Sequence, residues 1–169
     1  EVAKLSIHPE VIAANSDIKI VYTPIHGSGV KMVPRALKRI GFTNIYNVPE
    51  QDVVDGNFPT VVSPNPEEPA ALDMALKRAN QVGADMVMAS DPDADRVGIA
   101  IRDNHGRLML VNGNQTASLL SYYLLSQWSE KGKLTGKEYM VKTVVTTELI
   151  AEMANYYKVP YWDVLTGFK

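Results

Sequence analysis

Asp91, Asp93 and Asp95 lie at alternate positions directly after the apolar run 86–89, and Arg96 follows them. In an extended segment, alternate side chains point to the same face, so we expect the three carboxylates to converge. Converging carboxylates repel one another, and a hard divalent cation such as Mg²⁺, which prefers oxygen ligands, relieves that repulsion. Arg96 adds a planar cation that can hold a phosphate through two hydrogen bonds. The pattern therefore predicts a Mg²⁺ site used for phosphate chemistry.

A solvated surface turn is the main alternative for these aspartates, since Asp-Pro often opens a turn. A calcium EF-hand loop does not fit, because its sixth and twelfth positions hold Arg96 and Arg102 instead of glycine and glutamate. The segment follows a strand that has the composition of a buried one. Open α/β sheets bind their ligands at the carboxyl ends of such strands, which favours the metal site.

The composition is that of an ordinary globular protein, with 169 residues, 46% hydrophobic and 21% charged. A net charge of -2 argues against a nucleic-acid partner. The chain has no cysteine, which excludes disulfides and thiolate metal sites and fits a reducing compartment, so we expect a cytoplasmic location. No apolar run approaches the roughly 20 residues that span a bilayer, so we expect no membrane partner.

Strand and helix patterns alternate along the first two thirds of the chain, which predicts an α/β fold with a mixed, mostly parallel sheet flanked by helices. The first three strands are expected to be parallel. The fourth follows the third too closely for a crossover helix and should be antiparallel. The predicted strands are 18–23, 44–48, 86–89, 97–101 and 108–111, and the predicted helices are 30–40 and 70–82.

A second, partial unit of similar type is predicted to begin near residue 112, with the boundary between about 103 and 113. It has few strands for a complete core, so we expect the chain to be part of a larger protein. Its predicted elements are a helix at 114–127, a strand at 140–145, a helix at 147–157 capped by Thr146 or Thr147, and an extended segment at 161–165.

The segment His26-Gly27-Ser28-Gly29 lies between a predicted strand and a predicted helix. The spacing suggests a dinucleotide-binding loop, but the position of its third glycine holds Met32, which favours a simple glycine turn. His26 ends the first strand at the sheet edge that also carries the aspartates. It is therefore a candidate binding residue, and hydrogen bonding within the turn is the alternative.

Two other segments carry polar groups suited to a site. Asn65 and Glu67 can order a loop beside the metal, or they can simply lead into the helix that follows. Thr166, Gly167 and Lys169 offer a hydroxyl, a close backbone approach and a cation, which together suit a sugar phosphate.

Four motifs occur in the order found in the α-D-phosphohexomutase superfamily, and the chain resembles its phosphoglucomutase/phosphomannomutase members. The resemblance implies that residues 1–106 form the second domain of such an enzyme and that residues 107–169 begin the third. The motifs are Thr23-Pro24-Ile25-His26-Gly27-Ser28-Gly29, Pro64-Asn65-Pro66-Glu67, Asp91-Pro92-Asp93-Ala94-Asp95-Arg96 and Leu165-Thr166-Gly167-Phe168-Lys169.

The resemblance also implies an activity: interconversion of hexose 1-phosphate and hexose 6-phosphate through a phosphoserine and a bisphosphorylated sugar. One Mg²⁺ per active site and an activator of the glucose 1,6-bisphosphate type would be its cofactors, and the hexose phosphate its substrate. The implied metal ligands are Asp91, Asp93 and Asp95, the implied catalytic residue is Arg96, and the implied substrate contacts are Arg96, Thr166, Gly167 and Lys169, with His26 as a further candidate.

The chain also departs from the family pattern. It contains no phosphoserine loop, no sugar-specificity loop of the Gly-Glu-x-Ser type and no distal phosphate-binding loop. The resemblance therefore implies that its partners are the remaining domains of the same polypeptide, which are domains I and IV and the rest of domain III. We expect the chain alone to be inactive. Two other functions stay open: a noncatalytic nucleotide- or metal-binding α/β module, and a Mg²⁺-dependent hydrolase that uses aspartates.

Overall fold

A computed structural model of the protein describes residues 2–167. The chain divides into two compact units, Glu1–Asn112 and Gly113–Lys169. None of the helices described is both long enough and apolar enough to cross a membrane.

The first unit is a five-stranded sheet in the order β2-β1-β3-β4-β5, with helices packed on it. Strand β1 is parallel to β2 and β3, and β3, β4 and β5 pair antiparallel, which confirms the predicted mixed α/β fold. A 3₁₀ turn at Val2–Leu5 and helix α1 were not predicted. The elements are α1 Pro9–Ala14, β1 Lys19–Thr23, α2 Gly29–Ile40, β2 Asn44–Asn47, α3 Pro69–Val82, β3 Met86–Ser90, β4 Val97–Arg102 and β5 Leu108–Val111.

The register of the two central strands decides where the polar segments lie. Thr23 at the end of β1 pairs with Ala89 near the end of β3, and Ser90 pairs with Val97 at the start of β4. The carboxyl ends of β1 and β3 are therefore neighbours. As expected, the turn after β1 and the aspartate segment after β3 begin at the same edge of the sheet.

Helix α3 illustrates how local sequence positions an element against the sheet. Pro69 occupies its first turn, where a backbone N–H has no partner within the helix, so proline loses no hydrogen bond there. Gly83 ends the helix in the left-handed conformation, with φ 63°. Its buried face is rich in alanine, which allows the helix to lie close to the strands. The core cluster on that face consists of Val21, Val48, Ala75, Ala79, Ala84, Val87 and Ala100.

The second unit contains α4 Gly113–Glu130, β6 Met140–Thr143, α5 Leu149–Tyr156 and β7 Tyr161–Val164, with β6 and β7 paired in parallel. Strand β6 ends two residues before the predicted end because the Thr146 N–H donates to the Thr143 carbonyl in a turn. Helix α5 begins two residues after its predicted start. The N-cap is Glu148, whose side chain makes no capping hydrogen bond, and not Thr146 or Thr147 as predicted. The Thr147 hydroxyl accepts the Leu149 N–H at 3.3 Å from the position before the cap.

Candidate metal centre

The aspartate segment 91–96, here called the Asp loop, is a turn and not an extended strand. The Ala94 N–H donates to the Asp91 carbonyl at 3.0 Å, and Ala94 has a φ of 62° in the left-handed region. The expectation of an extended backbone is therefore wrong for this segment. A chain that leaves β3 and enters the antiparallel β4 within a few residues must reverse its direction, which an extended segment cannot do.

The turn nevertheless brings the three aspartates together. Asp91, Asp93 and Asp95 each offer a carboxylate oxygen, and these oxygens lie within 4.8 Å of one another. Asp91 is buried, whereas Asp93 and Asp95 are exposed. The result is a set of hard oxygen donors with one fixed member and two accessible ones, which fits the ligand preference of Mg²⁺.

Arg96 fixes the buried carboxylate. Its backbone N–H donates to Asp91 Oδ1 at 2.9 Å, and its Nε–H donates to Asp91 Oδ2 at 2.7 Å. Burial acts to raise the pKa of Asp91, but these hydrogen bonds from Arg96, together with hydrogen bonding to Asp93, hold that pKa below its usual value. Asp91 therefore stays ionised, and each of its oxygens keeps lone-pair capacity for a cation.

The exposed end of the loop carries uncompensated negative charge. Hydrogen bonding with Asp91 and the charge of Asp93 raise the pKa of Asp95, which Arg96, at 3.8 Å, opposes without reversing. The Arg96 side chain is 55% exposed, and its Nη1 and Nη2 groups make no hydrogen bond within residues 2–167. A cation would relieve the crowding of carboxylates, and the Nη groups can bind a phosphate.

The turn after β1 packs directly on the Asp loop. The Gly27 N–H donates to the Pro24 carbonyl at 2.9 Å, and the two central residues of this turn, Ile25 and His26, have φ values of 47° and 64°. Left-handed backbone at such residues costs on the order of 1–3 kcal/mol each. A Cβ on Gly27 would lie 2.4 Å from the Pro92 Cα and 2.7 Å from the Pro92 carbonyl oxygen, so only glycine fits there.

His26 is 2% exposed and hydrogen-bonds through both ring nitrogens. Its Nδ1 donates to the Val53 carbonyl at 2.7 Å, and its Nε2 lies 2.8 Å from the Thr60 hydroxyl. Since Nδ1 carries the proton, Nε2 accepts from Thr60 in the neutral ring. The geometry favours the turn-ordering alternative for His26, because the ring is buried and both nitrogens are hydrogen-bonded to the protein.

The same hydrogen bonds continue into a buried network. Gln51, fully buried, accepts the Thr23 hydroxyl at 2.6 Å and donates to the Thr60 hydroxyl at 3.1 Å. Its backbone carbonyl accepts the His26 N–H at 2.9 Å. The network holds the strained turn against β1 and against the segment around Thr60.

The segment around Asn65 orders the entry to helix α3. Asn65 accepts the Glu67 N–H at 3.1 Å and donates to the Glu68 carboxylate at 3.2 Å. These bonds are those of a helix-entry segment, the simpler of the two interpretations. The segment also contacts β4, since a Cβ on Gly98 would lie 2.0 Å from the Pro66 carbonyl oxygen.

The predicted sugar-phosphate contacts belong to the second unit. Thr166 and Gly167 follow β7, and Gly167 has a φ of 79°, which favours glycine. Lys169 lies outside the described residues. The structure thus brings together Asp91, Asp93, Asp95 and Arg96 and places the turn that carries His26 beside them.

The contacts of Gly27 and Ser28 with Pro92, and of Gly98 with Pro66, were not predicted. A glycine followed by a hydroxyl residue at the end of a strand was the available signal for the first. No local pattern indicated that its partner would be the Asp loop.

Comparison with known proteins gives a consistent result. The family model for phosphoglucomutase/phosphomannomutase alpha/beta/alpha domain II matches residues 3–106, and the model for domain III matches residues 112–169. The chain is 42% identical over 154 residues to the phosphoglucomutase of Staphylococcus aureus strain MRSA252. That match covers 91% of this chain and 27% of the relative, so the chain spans about a quarter of the length of this relative.

Two solved structures share the fold. A phosphoglucomutase/phosphomannomutase family protein from Burkholderia thailandensis superposes with a TM-score of 0.69 at 19% identity, over 99% of this chain and 34% of that one. The N-acetylphosphoglucosamine mutase of Aspergillus fumigatus, solved in complex with GlcNAc-6P and magnesium, superposes with a TM-score of 0.60 at 18% identity, over 95% of this chain and 34% of that one. On the family models and the sequence relative together, the chain belongs to the phosphoglucomutase/phosphomannomutase family of the α-D-phosphohexomutase superfamily.

Proposed function

We propose that this chain is the metal-binding part of a Mg²⁺-dependent phosphohexomutase, an enzyme that interconverts hexose 1-phosphate and hexose 6-phosphate. The observation that carries the proposal is the convergence of three carboxylates within 4.8 Å beside a half-exposed arginine, in a chain of this family. The magnesium in the Aspergillus fumigatus N-acetylphosphoglucosamine mutase supports it.

The four charged residues of the Asp loop have stated roles in the proposed site. Asp91, oriented by Arg96, supplies the fixed ligand, and the exposed Asp93 and Asp95 complete the set. When bound, Mg²⁺ supplies neutralisation of the charge on a phosphoryl group during its transfer. Arg96 keeps Nε on Asp91 and presents Nη1 and Nη2 to phosphate oxygens, which adds electrostatic stabilisation.

Residues outside the Asp loop supply the remaining parts of the proposed activity. We assign residues 1–106 and 107–169 to the second and third domains, and Thr166, Gly167 and Lys169 to contacts with the sugar phosphate. The phosphoserine, a bisphosphorylated activator and the other domains would complete the reaction, since phosphoryl transfer needs donor and acceptor held together. His26 is left out of the substrate contacts because its ring is buried and hydrogen-bonded on both sides.

The experiment that tests the proposal is a chimera. The matching segment of the Staphylococcus aureus phosphoglucomutase is replaced by this chain, and the chimera is assayed with glucose 1-phosphate, Mg²⁺ and a catalytic amount of glucose 1,6-bisphosphate. A second chimera carries Asp93→Asn, which removes one exposed carboxylate. We expect the first chimera to interconvert the hexose phosphates and the second to lose most of that activity.

The isolated 169-residue chain serves as the negative control. Turnover by this chain alone would mean that it contains its own nucleophile, in contradiction to the proposal. A chimera that folds and binds Mg²⁺ but shows no interconversion would favour the noncatalytic metal-binding module instead.

A further inference from the structure

We propose that Ser28 is a positioning residue for the Asp loop, and that its hold on Pro92 sets the selectivity of the site for Mg²⁺ over larger cations. This inference rests on the proposed function of the Asp loop as a Mg²⁺ site. Ser28 itself is not a ligand in the proposal. It acts through the backbone that joins two of the ligands.

The contact is a double hydrogen bond onto one carbonyl. The Ser28 N–H donates to the Pro92 carbonyl oxygen at 2.9 Å, and the Ser28 hydroxyl donates to the same oxygen at 3.0 Å. Pro92 lies between Asp91 and Asp93, so this carbonyl belongs to the peptide that leads into Asp93. Two donors occupy both lone pairs of the oxygen and thereby fix the orientation of that peptide plane.

The turn that presents Ser28 has little freedom to move away. Gly27 lies so close to Pro92 that a single Cβ would overlap the Pro92 backbone. Ile25 and His26 are both in the left-handed region, and the buried Gln51 network holds them there. Backbone in such conformations persists where the surrounding structure over-determines it, and it is concentrated at functional sites. The strained turn is thus a rigid support against which the Asp loop is held.

Rigidity of this kind affects cations unequally. Mg²⁺ requires nearly ideal octahedral geometry, whereas Ca²⁺ accepts more ligands at longer and more variable distances. A loop that moves by a few tenths of an ångström therefore loses affinity for Mg²⁺ more than for Ca²⁺. A residue with only a general structural role would instead change stability and leave the ratio of the two affinities unaltered.

The chain offers a closely matched control for Ser28. The Thr43 N–H and the Thr43 hydroxyl both donate to the Ser16 carbonyl, each at 2.9 Å, in the exposed connection that leads into β2. This connection precedes a strand that is parallel to β1, so it lies at the opposite edge of the sheet from the Asp loop. Ser28→Ala and Thr43→Val therefore remove the same kind of bond in two places, and Ser28→Thr retains the hydroxyl.

The test measures Mg²⁺ and Ca²⁺ affinity by isothermal titration calorimetry on the full chain, together with amide hydrogen exchange of residues 91 and 93–96 without metal. For Ser28→Ala we expect a loss of Mg²⁺ affinity of about three- to tenfold, a change in Ca²⁺ affinity of less than about twofold, and faster exchange in the loop. Thr43→Val should change none of these, and Ser28→Thr should behave like the wild type.

The outcomes separate this inference from the function on which it rests. If the folded wild-type chain binds no Mg²⁺, the proposed function and the selectivity claim both fail, and hydrogen exchange alone then decides whether Ser28 positions the loop. If the wild type binds Mg²⁺ and Ser28→Ala keeps the same affinities and exchange rates, the inference is overturned while the proposed function stands. Equal losses in Ser28→Ala and Thr43→Val would also overturn it.

Discussion

Substitution of Gly27 by alanine tests the contact between the strained turn and the Asp loop most directly. The added Cβ would lie 2.4 Å from the Pro92 Cα, 2.7 Å from the Pro92 oxygen and 2.8 Å from the Pro24 oxygen. All three are backbone atoms, so no side chain can rotate out of the way. Since carbon atoms in contact lie about 3.5 Å apart, the Asp loop must move by about 1 Å.

That displacement predicts two effects of different size. Overpacking of this kind typically costs about 1–3 kcal/mol of unfolding free energy, which lowers Tm by roughly 3–10 °C. The effect on Mg²⁺ affinity should be larger than the effect on stability, because the distances from Mg²⁺ to its ligands must stay within about 0.2 Å of their ideal values. We therefore expect Gly27→Ala to fold and to lose at least about tenfold in Mg²⁺ affinity.

The measurements are thermal unfolding by circular dichroism and Mg²⁺ titration by calorimetry. Gly56→Ala is the matched control, since apart from its two chain neighbours no described residue has an atom within 4 Å of a Cβ built on Gly56, and its φ is not in the left-handed region. It should leave both quantities unchanged. Wild-type Mg²⁺ affinity in a folded Gly27→Ala chain would refute the idea that this turn holds the loop in place.

Three further substitutions probe other contacts. Asp91→Asn should lower the unfolding free energy by about 1–2 kcal/mol in urea titration, a modest loss because Arg96 is half exposed, and should abolish Mg²⁺ binding. Hydrogen bonds from the Thr135 side chain and nearby backbone N–H groups lower the pKa of Glu138 from 4.5 to about 2. Its stabilisation is therefore full above pH 4.5 and is lost as the pH falls toward 2. Glu138→Gln should make the fall of Tm across that range shallower, while Asp91 and Asp103, whose pKa values are also lowered, still contribute to it. Thr60→Val should cost about 2–3 kcal/mol in the same urea titration, because it leaves one nitrogen atom on each of two buried side chains, His26 Nε2 and Gln51 Nε2, without a hydrogen-bond partner.

The sheet could be predicted from sequence because its causes are local. Short apolar-rich runs indicate β1, β3, β4 and β5, whereas β2 has only Ile45 and Tyr46 between two asparagines. The short connection from β3 to β4 dictates antiparallel pairing. The ends of β6 and α5 were less predictable, since they depend on hydrogen bonds of Thr146 and Thr147 that compete with continued strand or helix.

The Asp loop could be predicted from the sequence only in part. The residue types at 91, 93 and 95 predict convergence, and the structure brings their oxygens together, but by a turn with Ala94 in the left-handed region instead of by an extended backbone. The contacts that hold the Asp loop in place could not be predicted from the sequence, because they join residues that are far apart in the chain. Ser28 and Pro92 are 64 residues apart in the chain, and no periodic pattern connects them.

The change from parallel to antiparallel pairing at β3 has a consequence for the order of folding. Strands β3, β4 and β5 are sequence neighbours and pair by closing short loops, whereas β1 and β3 meet across a long separation, as in the Tyr22–Ser90 hydrogen bond between residues 68 apart. Long loops close at a greater entropic cost, so contacts of this kind tend to form late.

The Asp loop is the connection within the early hairpin, but its hydrogen bonds to Ser28 form only when β1 joins the sheet. We therefore expect the contacts that hold the Asp loop to form after β3 has paired with β4. A ligand that binds only the finished site stabilises the native state without accelerating its formation. If the chain binds Mg²⁺ as proposed, the bound ion should slow the unfolding of the completed sheet and leave the rate of folding unchanged.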